Sequence, residues 1–182
     1  MRIEDVAERM GIHVDWRPFL LGPIFTESGW QTSPFNIYPQ KGQYMWRDLE
    51  RRSAKYGLAF QRLPSKGAGA FPQNGLHAAR LALIGLSKGW GCEFCKATFL
   101  AQFSEGQDIG SLETVTRLAF QAGAKEQDVE AACASENKEA LRAQTESAAK
   151  LGIFGAPSFL VKDELFWGDD RLEDALQFAQ RP

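Results

Sequence analysis

Two stretches have residue types and spacing suited to chemistry: Cys92-Glu93-Phe94-Cys95 and the acid pair Asp169-Asp170. A Cys-x-x-Cys opening a helix is how redox motifs depress a thiol pKa and support disulfide exchange. Here the pair follows helical sequence deep within the chain, and no second pair of ligands stands at a spacing suited to zinc. The reading is therefore neither redox nor metal. Cys133, beside Ala131 and Ala132, reads as a small core residue. His13, alternating with apolar residues next to Asp15, reads as a surface histidine. Asp170 and Glu173 are three residues apart, a capping-box spacing that predicts a helix starting at Asp170, where acids favour the positive end of the helix dipole. No Ser/His/Asp set, Gly-rich phosphate loop or paired-carboxylate motif stands out.

These residues need elements to position them. Pro157 directly precedes the β-prone run Ser158-Phe159-Leu160-Val161, a place a residue without a backbone N–H tolerates. The Lys162-Asp163-Glu164 corner and Leu165-Phe166-Trp167 complete an expected hairpin. At the other end, residues 3–10 read as the tail of a helix stopped by Gly11. Ile12-His13-Val14-Asp15-Trp16-Arg17 alternates apolar with polar, the signal of a strand ended by Pro18. Residues 19–43, punctuated by Gly22-Pro23, Pro34 and Pro39, read as a long connection, and such connections are often functional. From Tyr44 to about Gly152 the pattern is helical. Ser111 is an N-cap, and Leu112, Val115, Ala119 and Ala122 form an apolar face.

Composition narrows the function classes. The 182 residues amount to one domain, or one domain with a large insertion. A net charge of −2 offers no basic footprint for nucleic acid. No apolar run reaches the roughly 20 residues that span a bilayer, so no membrane partner is expected. Three cysteines do not make an even-numbered disulfide framework, which points to a reduced, cytoplasmic setting. The 13 Phe and five Trp read mainly as core.

The order strand, helical block of about a hundred residues, strand, strand, helix matches the thioredoxin plan with an inserted helical domain. "WRPFLLGPIF" (16–25), "YPQKGQYMWRDLERRSAKYGLAF" (38–60), "FPQN" (71–74) and "GIFGAPSFLVKDELFWGDDRLEDAL" (152–176) together resemble the 2-hydroxychromene-2-carboxylate isomerases. These are bacterial, glutathione-dependent relatives of the kappa-class glutathione transferases and of the DsbA-like family. The resemblance runs over nearly the whole chain. It implies an α/β, thioredoxin-like fold with a large helical insertion: residues 1–27 and 152–182 as the discontinuous thioredoxin-like domain, 28–151 as connecting loop and insertion. Family members open on a strand and a serine facing the glutathione thiol. This chain begins inside the following helix, so the strand and catalytic serine are expected upstream of Met1, in a longer native product.

By the same resemblance the cofactor is glutathione, and the reaction interconverts 2-hydroxychromene-2-carboxylate and trans-o-hydroxybenzylidenepyruvate in aromatic-compound catabolism. The substrate is a small aromatic carboxylate and the assembly a homodimer. Ala156 is implied to pair its backbone with the cysteinyl part of glutathione, Pro157 to be cis, and Asp169 and Asp170 to hold the γ-glutamyl end. Lys41 is implied to reach a carboxylate of glutathione or substrate. Asn36 stands in for a family asparagine where this chain has Trp30, and Asn74 and Arg80 are further candidates for the substrate carboxylate. Three alternatives stay open: a kappa-type glutathione transferase, a DsbA-like oxidoreductase, and a non-catalytic glutathione-binding remnant.

Overall fold

Some of the helices in this chain stop at a left-handed glycine. Gly89 (φ 85°) caps one and Gly123 (φ 111°) another, a conformation that side chains with a Cβ seldom adopt. The computed structural model describes every residue except Met1, Lys66, Ala68 and Pro182, so the first and last residues of the expected thioredoxin-like domain lie outside the described residues. Among the described residues the order is α1 (Ile3–Arg9), α2 (Leu21–Glu27), α3 (Pro34–Ile37), α4 (Pro39–Lys55), α5 (Leu76–Lys88), α6 (Gly91–Phe103), α7 (Leu112–Ala122), α8 (Glu126–Cys133) and α9 (Ser135–Lys150). Then follow β1 (Ser158–Val161), β2 (Glu164–Trp167), a 3-10 turn (Asp169–Arg171) and α10 (Leu172–Ala179).

The long connection expected at 19–43 is largely helical instead. Its prolines, read as breakers, sit in first turns: Pro34 and Pro39 open α3 and α4, where no backbone N–H is needed and the ring presets φ. The Ser33 hydroxyl accepts the Phe35 N–H at 3.3 Å and caps α3. The α3 backbone presses on α4 so closely that a Cβ at Gly42 would overlap the Phe35 carbonyl.

The main core lies between α5, α6, α7 and α8, around Leu81, Phe94, Val115 and Leu118. Ser111 caps α7 as its type predicts, accepting the Thr114 N–H at 3.4 Å. Val115 and Ala119 are fully buried, but Leu118 completes that stripe while Leu112, in the first turn, is 45% exposed. The α5–α6 junction is tight: a Cβ at Gly85 would meet the Gly91 Cα at 2.8 Å. Asn137 of α9 donates to the carbonyls of Arg80 (3.1 Å) and Ala132 (3.0 Å), which fastens α9 to α5 and α8.

A second, smaller core gathers Ala7, Leu172 and Leu176, with Ile12, Val14 and Phe159 packed against them. The strand expected at 12–17 is absent. The alternation survives as burial, with Ile12, Val14 and Trp16 half-buried and His13, Asp15 and Arg17 exposed. Among the described residues no strand pairs this backbone, and alternation makes a strand only when a ladder takes up its N–H and C=O groups. The segment is tied down otherwise: the Thr145 hydroxyl of α9 accepts the Leu20 N–H at 3.2 Å.

The hairpin forms where expected. β1 and β2 pair antiparallel from Val161↔Glu164 to Ser158↔Trp167. The inner face packs on α10, with the rings of Phe166 and Phe178 5.6 Å apart. The helix expected from Asp170 starts later: Asp169–Arg171 is a 3-10 turn and α10 opens at Leu172 with no side-chain cap. The Asp170–Glu173 capping box does not form because Glu173 is drawn instead to an arginine from the other end of the chain.

Candidate functional site

The hairpin carries two widely separated parts of the sequence to one end. The Gly168 N–H donates to the Pro157 carbonyl at 3.0 Å, continuing the β1–β2 ladder and setting Ala156-Pro157 beside Gly168-Asp169-Asp170. The Ala156–Pro157 bond is cis, and so is Phe71–Pro72. Ala156 and Pro157 are exposed, and among the described residues the Ala156 N–H and C=O have no backbone partner. Trp167 braces the loop from behind: a Cβ at Gly155 would meet its Cε2 at 3.0 Å, and its ring lies 4.8 Å from that of Phe154. Ser158 adds a hydroxyl bond to the Gly155 carbonyl at 2.8 Å.

Asp169 is not free. Arg52, in the last turn of α4, donates Nε to its Oδ2 at 2.8 Å and places Nη2 on the same oxygen. Arg2 donates Nη2 to Oδ1 at 3.2 Å and to the Asp169 carbonyl at 2.9 Å, and also forks onto both oxygens of Glu173. Both cations lie against the Tyr56 ring, its centroid 4.4 Å from the Arg2 guanidinium and 5.3 Å from that of Arg52. Charge-assisted forks of this kind are the strong class of hydrogen bond. For both arginines burial works against the charge. It is outweighed at Arg2 by the Glu173 bond and at Arg52 by the Asp169 bond, which leave both above the ordinary guanidinium value. The Arg2 bond likewise holds the Glu173 carboxyl below its ordinary range, against burial.

Asp170 has a different setting. Its carboxylate is exposed, with an ion pair to the neighbouring Arg171 at 3.4 Å. It turns back over the hairpin end, since a Cβ on Gly168 would meet its Oδ1 at 2.5 Å.

The other predicted residues lie elsewhere. Lys41 is exposed at the start of α4, its Nζ 4.8 Å from the Tyr38 ring centroid. Eleven residues separate it from Arg52, about three turns and about 16 Å along the same face of the helix. Asn36, on α3, is exposed and donates to the Thr32 hydroxyl at 3.1 Å, while Trp30 packs on Phe25. Asn74 is exposed and its side chain accepts the Leu76 N–H at 3.0 Å at the entry to α5. Arg80 is half-buried in the helical body rather than a surface charge. It borders a cavity of about 10 Å³, room for a single water at most and not for an aromatic substrate.

Neither cysteine of the pair is poised for exchange, which needs a thiolate. Burial, then the neighbouring Cys92, pushes the Cys95 thiol up to about 12. Burial, then the charge of Glu4, also raises Cys92, although Lys96 opposes it. Lys96 itself is occupied by Glu4 at 2.8 Å and Glu93 at 2.5 Å. Cys133 departs from its expected place: it is exposed, and its neighbour Ala132 (2% exposed) takes the core position. Among the described residues no group of His, Cys, Asp and Glu could hold a metal, and no helix is long and apolar enough to cross a membrane.

Arg2, Arg52 and Tyr56 were not among the residues singled out from the sequence. One local signal existed: Arg52 and Tyr56 stand i,i+4 at the end of a helix. Nothing local connects either of them to Asp169.

A family model described as DSBA-like thioredoxin domain matches residues 1–180. A 2-hydroxychromene-2-carboxylate isomerase from Sphingobium xenophagum is 27% identical over 179 residues, covering 95% of this chain and 86% of that protein. A solved structure of a 2-hydroxychromene-2-carboxylate isomerase superposes with a TM-score of 0.80 at 20% identity, over 97% of this chain and 86% of the other. At that identity the superposition speaks to the fold: thioredoxin-like, mostly helical, with a small two-stranded sheet.

Proposed function

The chain belongs to the DSBA-like thioredoxin domain family, and from that premise we propose a glutathione-dependent isomerase that interconverts 2-hydroxychromene-2-carboxylate and trans-o-hydroxybenzylidenepyruvate. The relative from Sphingobium xenophagum, an isomerase by name, supports the reaction class. The observation that carries the glutathione part is the hairpin end: the exposed, unpaired backbone of Ala156 next to Pro157 and the carboxylate of Asp170 next to Gly168, the two joined by the Pro157–Gly168 bond.

The residues present fit such a tripeptide. An exposed N–H and C=O beyond a ladder can receive a peptide backbone as an added strand would. An exposed carboxylate at the same end suits an ammonium. Lys41, on the face of α4 whose far end holds Arg52, suits a carboxylate: an extended tripeptide spans about 10 Å, and a lysine arm bridges the remainder. Bound glutathione supplies the thiol nucleophile for the cis–trans change. This chain's residues bind and orient: Ala156 fixes the cysteinyl backbone, Asp170 one end of the tripeptide and Lys41 the carboxylate at the other, while Asn36 meets the carboxylate of an aromatic substrate. Holding reactants in register supplies a large share of catalytic rate in general. A homodimer, in a bacterial cytoplasm, working on aromatic-compound breakdown, completes the reading.

Calorimetric titration with glutathione, alongside a spectrophotometric assay of chromene ring opening, tests it. Saturable binding together with glutathione-dependent ring opening is expected. Binding without turnover would favour a non-catalytic glutathione-binding protein, and no binding would end the reading.

A further inference from the structure

We propose that Asp169 is a positioning residue. Clamped by Arg52 and Arg2, it fixes the Gly168 end of the hairpin, and with it the open backbone of Ala156, while Asp170 is the acid that meets a ligand's ammonium. The ligand half of this inference rests on the glutathione reading above.

Occupancy is the first argument. An ionised carboxylate has about four acceptor sites. Arg52 directs two donors onto Oδ2 and Arg2 one onto Oδ1, which takes up about three of those four sites and leaves one, on Oδ1, beside Arg2. Charge is the second. An ammonium arriving at Asp169 would meet two guanidinium groups already on that carboxylate, and like charges at such separations disfavour one another. Asp170 carries no such load: its ion pair is with the adjacent Arg171 at 3.4 Å, and both side chains are more than half exposed.

Linkage is the third argument. Arg2 also grips the main-chain carbonyl of Asp169, so the clamp acts on the backbone as well as the side chain. One residue earlier, the Gly168 N–H bonds the Pro157 carbonyl at 3.0 Å. The α4 end, the chain's first helix and the hairpin are thereby joined through one residue. Ala156, one position before Pro157, takes its orientation from that joint.

The test compares glutathione with glutaryl-cysteinylglycine, which lacks the γ-glutamyl ammonium, by calorimetry on the full chain and on Asp169→Asn, Asp170→Asn, Arg52→Ala and Arg52→Lys. Asp170→Asn is expected to weaken glutathione about tenfold and leave the analogue unchanged. Asp169→Asn and Arg52→Ala are expected to weaken both ligands alike, with the double variant no worse than either single one. Arg52→Lys, which keeps the charge and loses the fork, shows a smaller effect of the same pattern. In the free protein, Asp169→Asn is expected to speed hydrogen exchange at the Gly168 amide by about tenfold. An Asp169→Asn variant that loses affinity for glutathione but not for the analogue overturns the positioning role. Should the unaltered chain bind neither ligand, the glutathione reading fails, and the exchange rate at Gly168 decides the positioning role alone: an unchanged rate overturns it.

Discussion

Arg52 and Asp169 stand 117 positions apart in the chain, yet the guanidinium Nε of one lies 2.8 Å from Oδ2 of the other. That contact joins the end of α4 to the hairpin that presents Ala156. Because Arg2 meets the same carboxylate and Glu173 as well, the site rests on a charge cluster drawn from three separate segments.

The cluster makes stability depend on acid pH. Glu173 is held below the ordinary glutamate value, chiefly by its bond from Arg2. Its contribution is therefore fully present above pH about 4.3 and is lost as pH falls through the depressed folded value. Its side chain is half exposed, which keeps the effect to about 1 kcal/mol or less. Urea unfolding of the parent and of Glu173→Gln should differ at pH 6 and converge below pH 4. A gap that stays constant across that range would contradict the assignment.

Gly91→Ala should cost about 1–3 kcal/mol, the usual range for overpacking, because the new methyl would sit 2.6 Å from the Gly85 carbonyl carbon. Gly22→Ala is the matched control on α2, where a Cβ meets nothing within 4 Å beyond its own helix and chain neighbours. Its gain in helix propensity is offset by the contact a Cβ makes with the ring of the following Pro23, so the change should be about 0.5 kcal/mol or less. Equal effects of the two changes on the urea midpoint would rule out a close α5–α6 approach.

The three thiols should differ in reactivity. Cys133 is exposed, whereas Cys92 and Cys95 are shielded and raised, the latter to about 12. With iodoacetamide at pH 7.5, peptide mapping should find Cys133 alkylated first and Cys95 last. If the proposed ring opening is found for the parent chain, the double variant Cys92→Ser/Cys95→Ser should keep it; losing it while remaining folded would revive a redox role.

Core and surface phenylalanines separate on burial. Phe94→Ala should cost about 3–5 kcal/mol, since the ring is 1% exposed at the centre of the helical body. Phe99→Ala, five residues on and 51% exposed, should change stability by about 0.5 kcal/mol or less. Similar losses at both positions, read from thermal melts, would mean that α6 is rotated from the orientation described.

Local residue types decided a good deal of this protein. Ser111 caps α7 and Gly123 ends it because cap and stop are set within one turn of chain. The hairpin lies where β-prone runs flank the Lys162 corner, and the alternation in Ile12–Arg17 survives as alternating burial. Packing decided the rest. Prolines that read as breakers in 19–43 open helices, since a first turn needs no N–H from them. Ile12–Arg17 is not a strand, because a ladder requires a partner that alternation alone cannot supply. Cys133 faces outward because the core accepted Ala132 in its stead. Asp169 stands in the sequence only as an acid beside an expected helix start; its partners come from positions 2 and 52, brought within hydrogen-bond reach only when α1, α4 and α10 settle together. A cap, a turn or a stop depends on neighbours a few residues away, so the sequence displays it. A charge pair across 117 or 167 residues depends on where whole helices come to rest, and only the folded chain determines that.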